Sequence, residues 1–191
     1  MIVKIADLRS KLEEVTARNG ISEKDARDYI AAIIAHYEED NFFKGFKGVH
    51  GVTDWITQLE TMNSKEQVLF ESDSVLHLDG LGKQPFYIVM QRFNEICDRA
   101  AQNGSFTVAI KGEYMSALFY VVRKFANNGY LAILASNGGP QGTIPHGGKT
   151  DIFGTNPLAY GIPSSTDPIV FDAATYQSPD GNFNIRELPE H

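Results

Sequence analysis

Gly147-Gly148-Lys149, Phe153-Gly154-Thr155-Asn156-Pro157-Leu158-Ala159-Tyr160, Ile162-Pro163 and Asp172-Ala173-Ala174-Thr175 follow one another as glycines, turn formers and short apolar runs. Gly154 to Pro157 reads as a tight turn feeding a strand over 158–162. A second strand is expected from Ile169 to Asp172, with Asp172 suited to cap a turn at its end. Just upstream lie Gly138, Gly139, Gly142, Gly147 and Gly148, with Pro140 and Pro145. A long glycine-rich loop inside a compact domain is more often functional than a plain linker.

The middle of the chain alternates between strand and helix. Residues 68–70 and 75–78 read as short strands, with Asp79-Gly80 as a turn. Phe86, Val89, Met90, Phe93, Ile96, Cys97 and Ala100 fall on one helical face over 85–102, and Asn103-Gly104 supplies a stop. Phe106, Val108 and Ile110 alternate as in a strand. Leu118, Phe119, Val122 and Phe125 mark a helix within 115–127, and Tyr130 to Ala135 a further strand.

The first third reads as helical. Ile5, Leu8, Leu12 and Val15 place a helix over 3–18, with Asn19-Gly20 as its stop. Ser22 with Asp25 resembles a capping box opening a helix over 22–38. Val52, Trp55, Ile56 and Leu59 suggest another over 50–62. The expected architecture is mixed α/β of the α+β kind: a helical segment, 1–65, followed by a mixed-sheet domain, 66–191. The segments 106–110, 130–134 and 158–162 are expected in one sheet.

Composition narrows the function. The 191 residues include 42% apolar residues, enough for a packed core, and the net charge is −7. An acidic surface argues against non-specific nucleic-acid binding, which needs cations for phosphate. The longest apolar runs are far shorter than a membrane span. Cys97 has no second cysteine to pair with, and the N-terminus has no long apolar core or cleavage signal. A soluble cytoplasmic protein, with no nucleic-acid or membrane partner, is the expectation.

Generic motifs are absent. Gly80-Leu81-Gly82 lacks the third glycine of a dinucleotide fingerprint, and there is no Walker loop or nucleophile elbow. The histidines are scattered and show no metal-ligand spacing, so no metal site is expected.

The quoted run resembles, in order and spacing, the most recognisable block of the malate/L-lactate dehydrogenase family. That family comprises nicotinamide-dependent oxidoreductases without a Rossmann domain, including ureidoglycolate dehydrogenase-like and diketogulonate reductase-like members. Gly48-Val49-His50-Gly51-Val52 is similar to its Ser-His-Gly-Val element, Asp79-Gly80 to its turn before a long helix, and Asn137 with Pro140 to its Asn-Ser-x-Pro loop. The similarity covers nearly all of the chain. Family members continue past the Asp-x-Ala-Thr block into further cofactor-contacting structure, so the fold is expected to lack that C-terminal part.

The resemblance implies a cofactor, NAD or NADP, held by Asn137, Gly138, Gly147, Gly148, Thr155, Asn156, Asp172, Ala173 and Ala174. Small residues there let backbone N–H groups approach a pyrophosphate. It implies hydride transfer between the nicotinamide and a 2-oxoacid, 2-hydroxyacid or imine. It also implies a homo-oligomer, commonly a dimer, or a complex with a partner chain. Reduction of a carbonyl needs a proton donor, and His50 matches the family's histidine near the substrate. A substrate carboxylate calls for a cation, usually arginine. Here the matching position is Asp54, the serine before His50 is Val49, the second histidine is Glu113, and the loop serine is Gly138. Lys111 or Lys149 is the substitute cation, and Glu113 the second group to handle protons. The alternative readings are a catalytically silent binding or regulatory homologue and an incomplete gene product.

Overall fold

A computed structural model describes residues 4–38, 65–113, 115, 117–137, 149–150 and 152–175. The chain divides into two compact units, residues 1–112 and 113–191. The helical segment read from the sequence as 1–65 lies within the first of these units.

In the first unit, α1 (Ile5–Arg18) ends where Asn19 and Gly20 close the last turn, Gly20 having φ of 73°. The helix α2 (Glu23–Glu38) opens with Ser22 as its N-cap, the half of the expected box formed by the Ser22 side chain. The Asp25 N–H donates to Ser22 Oγ at 3.1 Å, and the Ser22 hydroxyl donates to the Asp25 carboxylate at 2.6 Å. Ala26, Tyr29, Ile30, Ile33 and Ile34 are buried on its inner face. Tyr29 meets Phe86 edge-on at 5.6 Å and lies 5.2 Å from Tyr87. Those two rings belong to α3 (Pro85–Gln91), which Pro85 opens. Proline suits a first helical turn, where its missing N–H is not needed.

The helix expected over 85–102 is two helices. A break at Arg92 (φ −97°, ψ 9°) separates α3 from α4 (Phe93–Asn103). Pro85 to Met90 are all buried, so α3 is a core element and only the second piece is amphipathic. Strands β1 (Gln67–Glu71), β2 (Val75–Asp79) and β3 (Thr107–Lys111) form a sheet in that order, β1 antiparallel and β3 parallel to β2. Leu76, Leu78 and Ile88 form its buried core, flanked by Phe106 and Ile110.

In the second unit, α5 (Leu118–Asn127) packs on an antiparallel sheet of order β4 (Ala132–Ala135), β5 (Leu158–Ile162), β6 (Ile169–Ala173). Leu118, Phe119, Val121, Val122, Phe125 and Ala126 are buried, as is Ala159 on the helix-facing side of β5. The single sheet expected for 106–110, 130–134 and 158–162 is therefore two. Apolar alternation identifies strands but not their partners, and the parallel β2–α3–α4–β3 crossover closed its own sheet. The helix expected over 50–62 lies outside the described residues. Among the described residues no helix is long and apolar enough to cross a membrane.

Candidate cofactor site

Four chain segments of the second unit meet through backbone, hydroxyl and carboxylate hydrogen bonds. They are the end of β4, the turn 154–157, the end of β6 and the start of α5. The Ser136 N–H donates to the Pro157 carbonyl at 3.1 Å, and Ser136 Oγ accepts from the Met115 N–H at 3.2 Å. Thr175 ties the turn to β6: its N–H donates to the Thr155 carbonyl at 3.1 Å, and its hydroxyl to the Asn156 carbonyl at 2.9 Å. Asn156 is left-handed, with φ of 43°, a conformation asparagine tolerates better than most residues. Gly154 is buried, while Thr155 and Asn156 are half-buried.

Asp172 reaches the start of α5. Its carboxylate accepts from the Phe119 N–H at 2.9 Å. The residue before the helix, Ala117, is left-handed (φ 53°, ψ 42°) and offers no side-chain cap. The first N–H groups of a helix have no partner within it and carry partial positive charge, so a carboxylate is favourable there. The turn cap read from the sequence for Asp172 is thus a helix cap. Ala173 and Ala174 follow, half-buried.

The candidate residues of the cofactor set that are described, Asn137, Thr155, Asn156, Asp172, Ala173 and Ala174, all lie on these segments. Gly138, Gly147, Gly148 and His50 lie outside the described residues, as do Val49 and Asp54. Lys111, at the end of β3, donates to Asp79 at 2.7 Å. Its side chain is largely exposed, but its charge is committed to that carboxylate. The Lys111 ammonium, then the Leu81 N–H, hold the Asp79 carboxyl below the usual aspartate range. Glu113 is exposed at the start of the second unit. Lys149 is likewise exposed. Among the described residues no cluster of three or more His, Cys, Asp or Glu side chains is arranged to hold a metal ion.

Sequence reasoning missed Ser136, Met115 and Ala117. Serine at a strand end carries a weak turn signal, whereas nothing about alanine announces a positive φ.

The sequence pattern of malate/L-lactate dehydrogenases matches residues 3–188. The chain belongs to the malate/L-lactate dehydrogenase family. Within it, the chain is similar to a Delta(1)-pyrroline-2-carboxylate/Delta(1)-piperideine-2-carboxylate reductase of Pseudomonas putida. The two are 28% identical over 201 residues, covering 98% of this chain and 57% of the relative. A ureidoglycolate dehydrogenase (NAD(+)) of Escherichia coli K12 is 32% identical over 104 residues, covering 53% of this chain and 29% of that protein. Among solved structures, the malate dehydrogenase of Entamoeba histolytica superimposes with a TM-score of 0.81 at 25% identity, over 97% of this chain and 52% of the other. The chain thus spans little more than half the length even of the relatives it matches throughout.

Proposed function

We propose that the chain carries the nicotinamide-binding and substrate-reducing machinery of an NAD- or NADP-dependent oxidoreductase, acting on a cyclic imine carboxylate or a related 2-oxo or 2-hydroxy acid. One observation carries the reading: the family's two most specific blocks, Gly154 to Pro157 and Asp172 to Thr175, are hydrogen-bonded to each other in one polar junction. Its hydroxyl and amide groups, set on small-residue backbone, suit the ribose hydroxyls and phosphates of a nucleotide.

When bound, the nicotinamide supplies the hydride. Asn137, Thr155, Asn156 and the backbone of 172–174 bind and orient it. His50 is the proton donor to the carbonyl oxygen or imine nitrogen, because its ordinary pKa of about 6.5 lets it give up a proton near neutrality. Substrate charge favours the imine. Asp54 stands where the family has an arginine, and Glu113 where it has a second histidine. Both disfavour an anionic 2-oxo acid, whereas a protonated imine nitrogen offsets the substrate's own carboxylate. The Pseudomonas putida relative is named for such substrates.

The test is NADH and NADPH oxidation with Delta(1)-pyrroline-2-carboxylate, Delta(1)-piperideine-2-carboxylate and a panel of 2-oxo acids, with wild type beside His50→Gln. The proposal expects turnover of an imine, weak turnover of malate- or lactate-type oxo acids, and loss in the variant. Robust turnover of a simple 2-oxo acid alone would refute the substrate assignment, and full activity of His50→Gln would remove that residue from the chemistry.

The working unit is further proposed to be a homo-oligomer or a complex with a partner chain. Ile133, Ile162, Ile169 and Phe171, on the sheet face away from α5, are exposed by 72%, 38%, 59% and 40%. Apolar surface of this kind marks interfaces. A strictly monomeric species in sedimentation at high concentration would contradict it.

A further inference from the structure

We propose that Asp172 serves the cofactor site as a positioning residue, its carboxylate holding the start of α5 in place instead of contacting the nucleotide. The proposal rests on the nicotinamide-binding reading above for its consequence, but not for its geometry.

Three observations support it. First, strand register places Asp172 beside Ala159, on the helix-facing side of the sheet, and Ala159 is fully buried. Phe171 and Ala173 alternate to the other side. Second, the acceptor is needed where it stands. Ala117 cannot cap α5, and the Phe119 N–H finds its partner on β6, 53 residues away in sequence. Third, Ala117 is held in a left-handed conformation that an alanine adopts only at some energetic cost. A neighbouring contact must over-determine it, and the Asp172–Phe119 bond sits two residues further on.

Asp172 also links two halves of the junction. On its far side the chain continues through Ala173 and Ala174 to Thr175, which holds the 155–156 carbonyls. On its near side the cap fixes α5 just after Met115, whose N–H is bound by Ser136 beside Asn137. Loss of the carboxylate releases the start of α5 from the strand that carries the 172–174 segment. The nucleotide-contacting backbone then loses its framework although no ligand contact has been removed.

The experiment compares wild type, Asp172→Ala, Asp172→Asn and the double variant Asp172→Ala with Ala117→Gly. Two readouts are taken: hydrogen exchange at the Phe119 amide without nucleotide, and calorimetric affinity for NADH and NADPH. Asparagine keeps an acceptor oxygen but no charge, and glycine at 117 relieves the left-handed strain. The expected result is faster Phe119 exchange in Asp172→Ala by about tenfold, with a parallel loss of nucleotide affinity. Asp172→Asn should recover most of both, and the double variant part of the exchange protection. Unchanged Phe119 exchange in Asp172→Ala overturns the proposal, whatever happens to affinity. So does an Asp172→Asn chain that recovers Phe119 protection yet binds nucleotide as weakly as Asp172→Ala, since that pattern belongs to a direct contact. Failure of the wild type to bind either nucleotide, with the exchange pattern intact, overturns the functional reading and the nucleotide consequence together, leaving the helix cap established.

Discussion

Gly161 of β5 lies so close to Val122 of α5 that a Cβ there would overlap the Val122 carbonyl and stand 3.2 Å from the Ala126 Cβ. Helix and sheet are thus in backbone contact, and this contact sets the height of α5 above the strands whose ends form the candidate site. The obstacle is main chain and cannot rotate away.

Gly161→Ala should therefore destabilise the second unit by about 1–3 kcal/mol, as expected for overpacking. Urea unfolding followed by far-UV circular dichroism measures it. A midpoint equal to that of wild type would mean that the helix rides higher on the sheet.

Thr175 and Asn156 should matter to the turn in different ways. Thr175→Val removes the hydroxyl bonds to the 155 and 156 carbonyls and should cost about 0.5–1.5 kcal/mol. Asn156→Ala keeps those carbonyls but puts alanine at φ of 43°, at a cost of about 1 kcal/mol, whereas Asn156→Gly should be tolerated. If alanine and glycine behave alike in thermal melts, the left-handed turn is wrong.

Acid should weaken the first unit through Glu66. Burial pushes the Glu66 carboxyl up, but a backbone N–H, the Arg92 hydrogen bond and the Lys83 charge outweigh it, so the net position is below the usual glutamate range. Arg92 approaches it at 2.8 Å and the buried Lys83 at 3.4 Å. A carboxyl lowered in the folded state stabilises fully above its unfolded value. That contribution fades as pH falls from about 4.5 through the folded value. Melting temperature should drop across this window in wild type. In Glu66→Gln it should start lower and show a smaller drop; parallel curves would exclude Glu66 as the source.

Lys111 and Asp79 give a direct titration test. Asp79 should titrate below the usual aspartate range in wild type and move up towards it in Lys111→Met, read from the side-chain carboxyl signal by NMR. An Asp79 titration indifferent to Lys111 would return that lysine to the role of a free cation for substrate.

Much of this was legible in the sequence because the signals were local. Ser22 with Asp25, Asn19-Gly20 and the 3.6-residue spacing of Ala26, Tyr29, Ile30 and Ile33 each specify their structure within a few residues. The break at Arg92 was hidden because Phe86 to Ala100 keep helical spacing across it, and burial of all sides of α3 is a tertiary fact. Sheet membership was hidden because pairing depends on residues far apart, as Leu76 with Val108 or Ala159 with Asp172. At the site, the family blocks marked Thr155, Asn156 and Asp172. The direction of the Asp172 side chain and the part played by Ser136 needed the folded chain.

The most direct test of the account is calorimetric titration of the purified, folded chain with NADH and with NADPH. Saturable binding of at least one of them at one site per chain is predicted, weakened in Asp172→Ala. Absence of binding heat for both across several temperatures, with cooperative unfolding intact, would contradict the proposed nicotinamide-binding role of this chain.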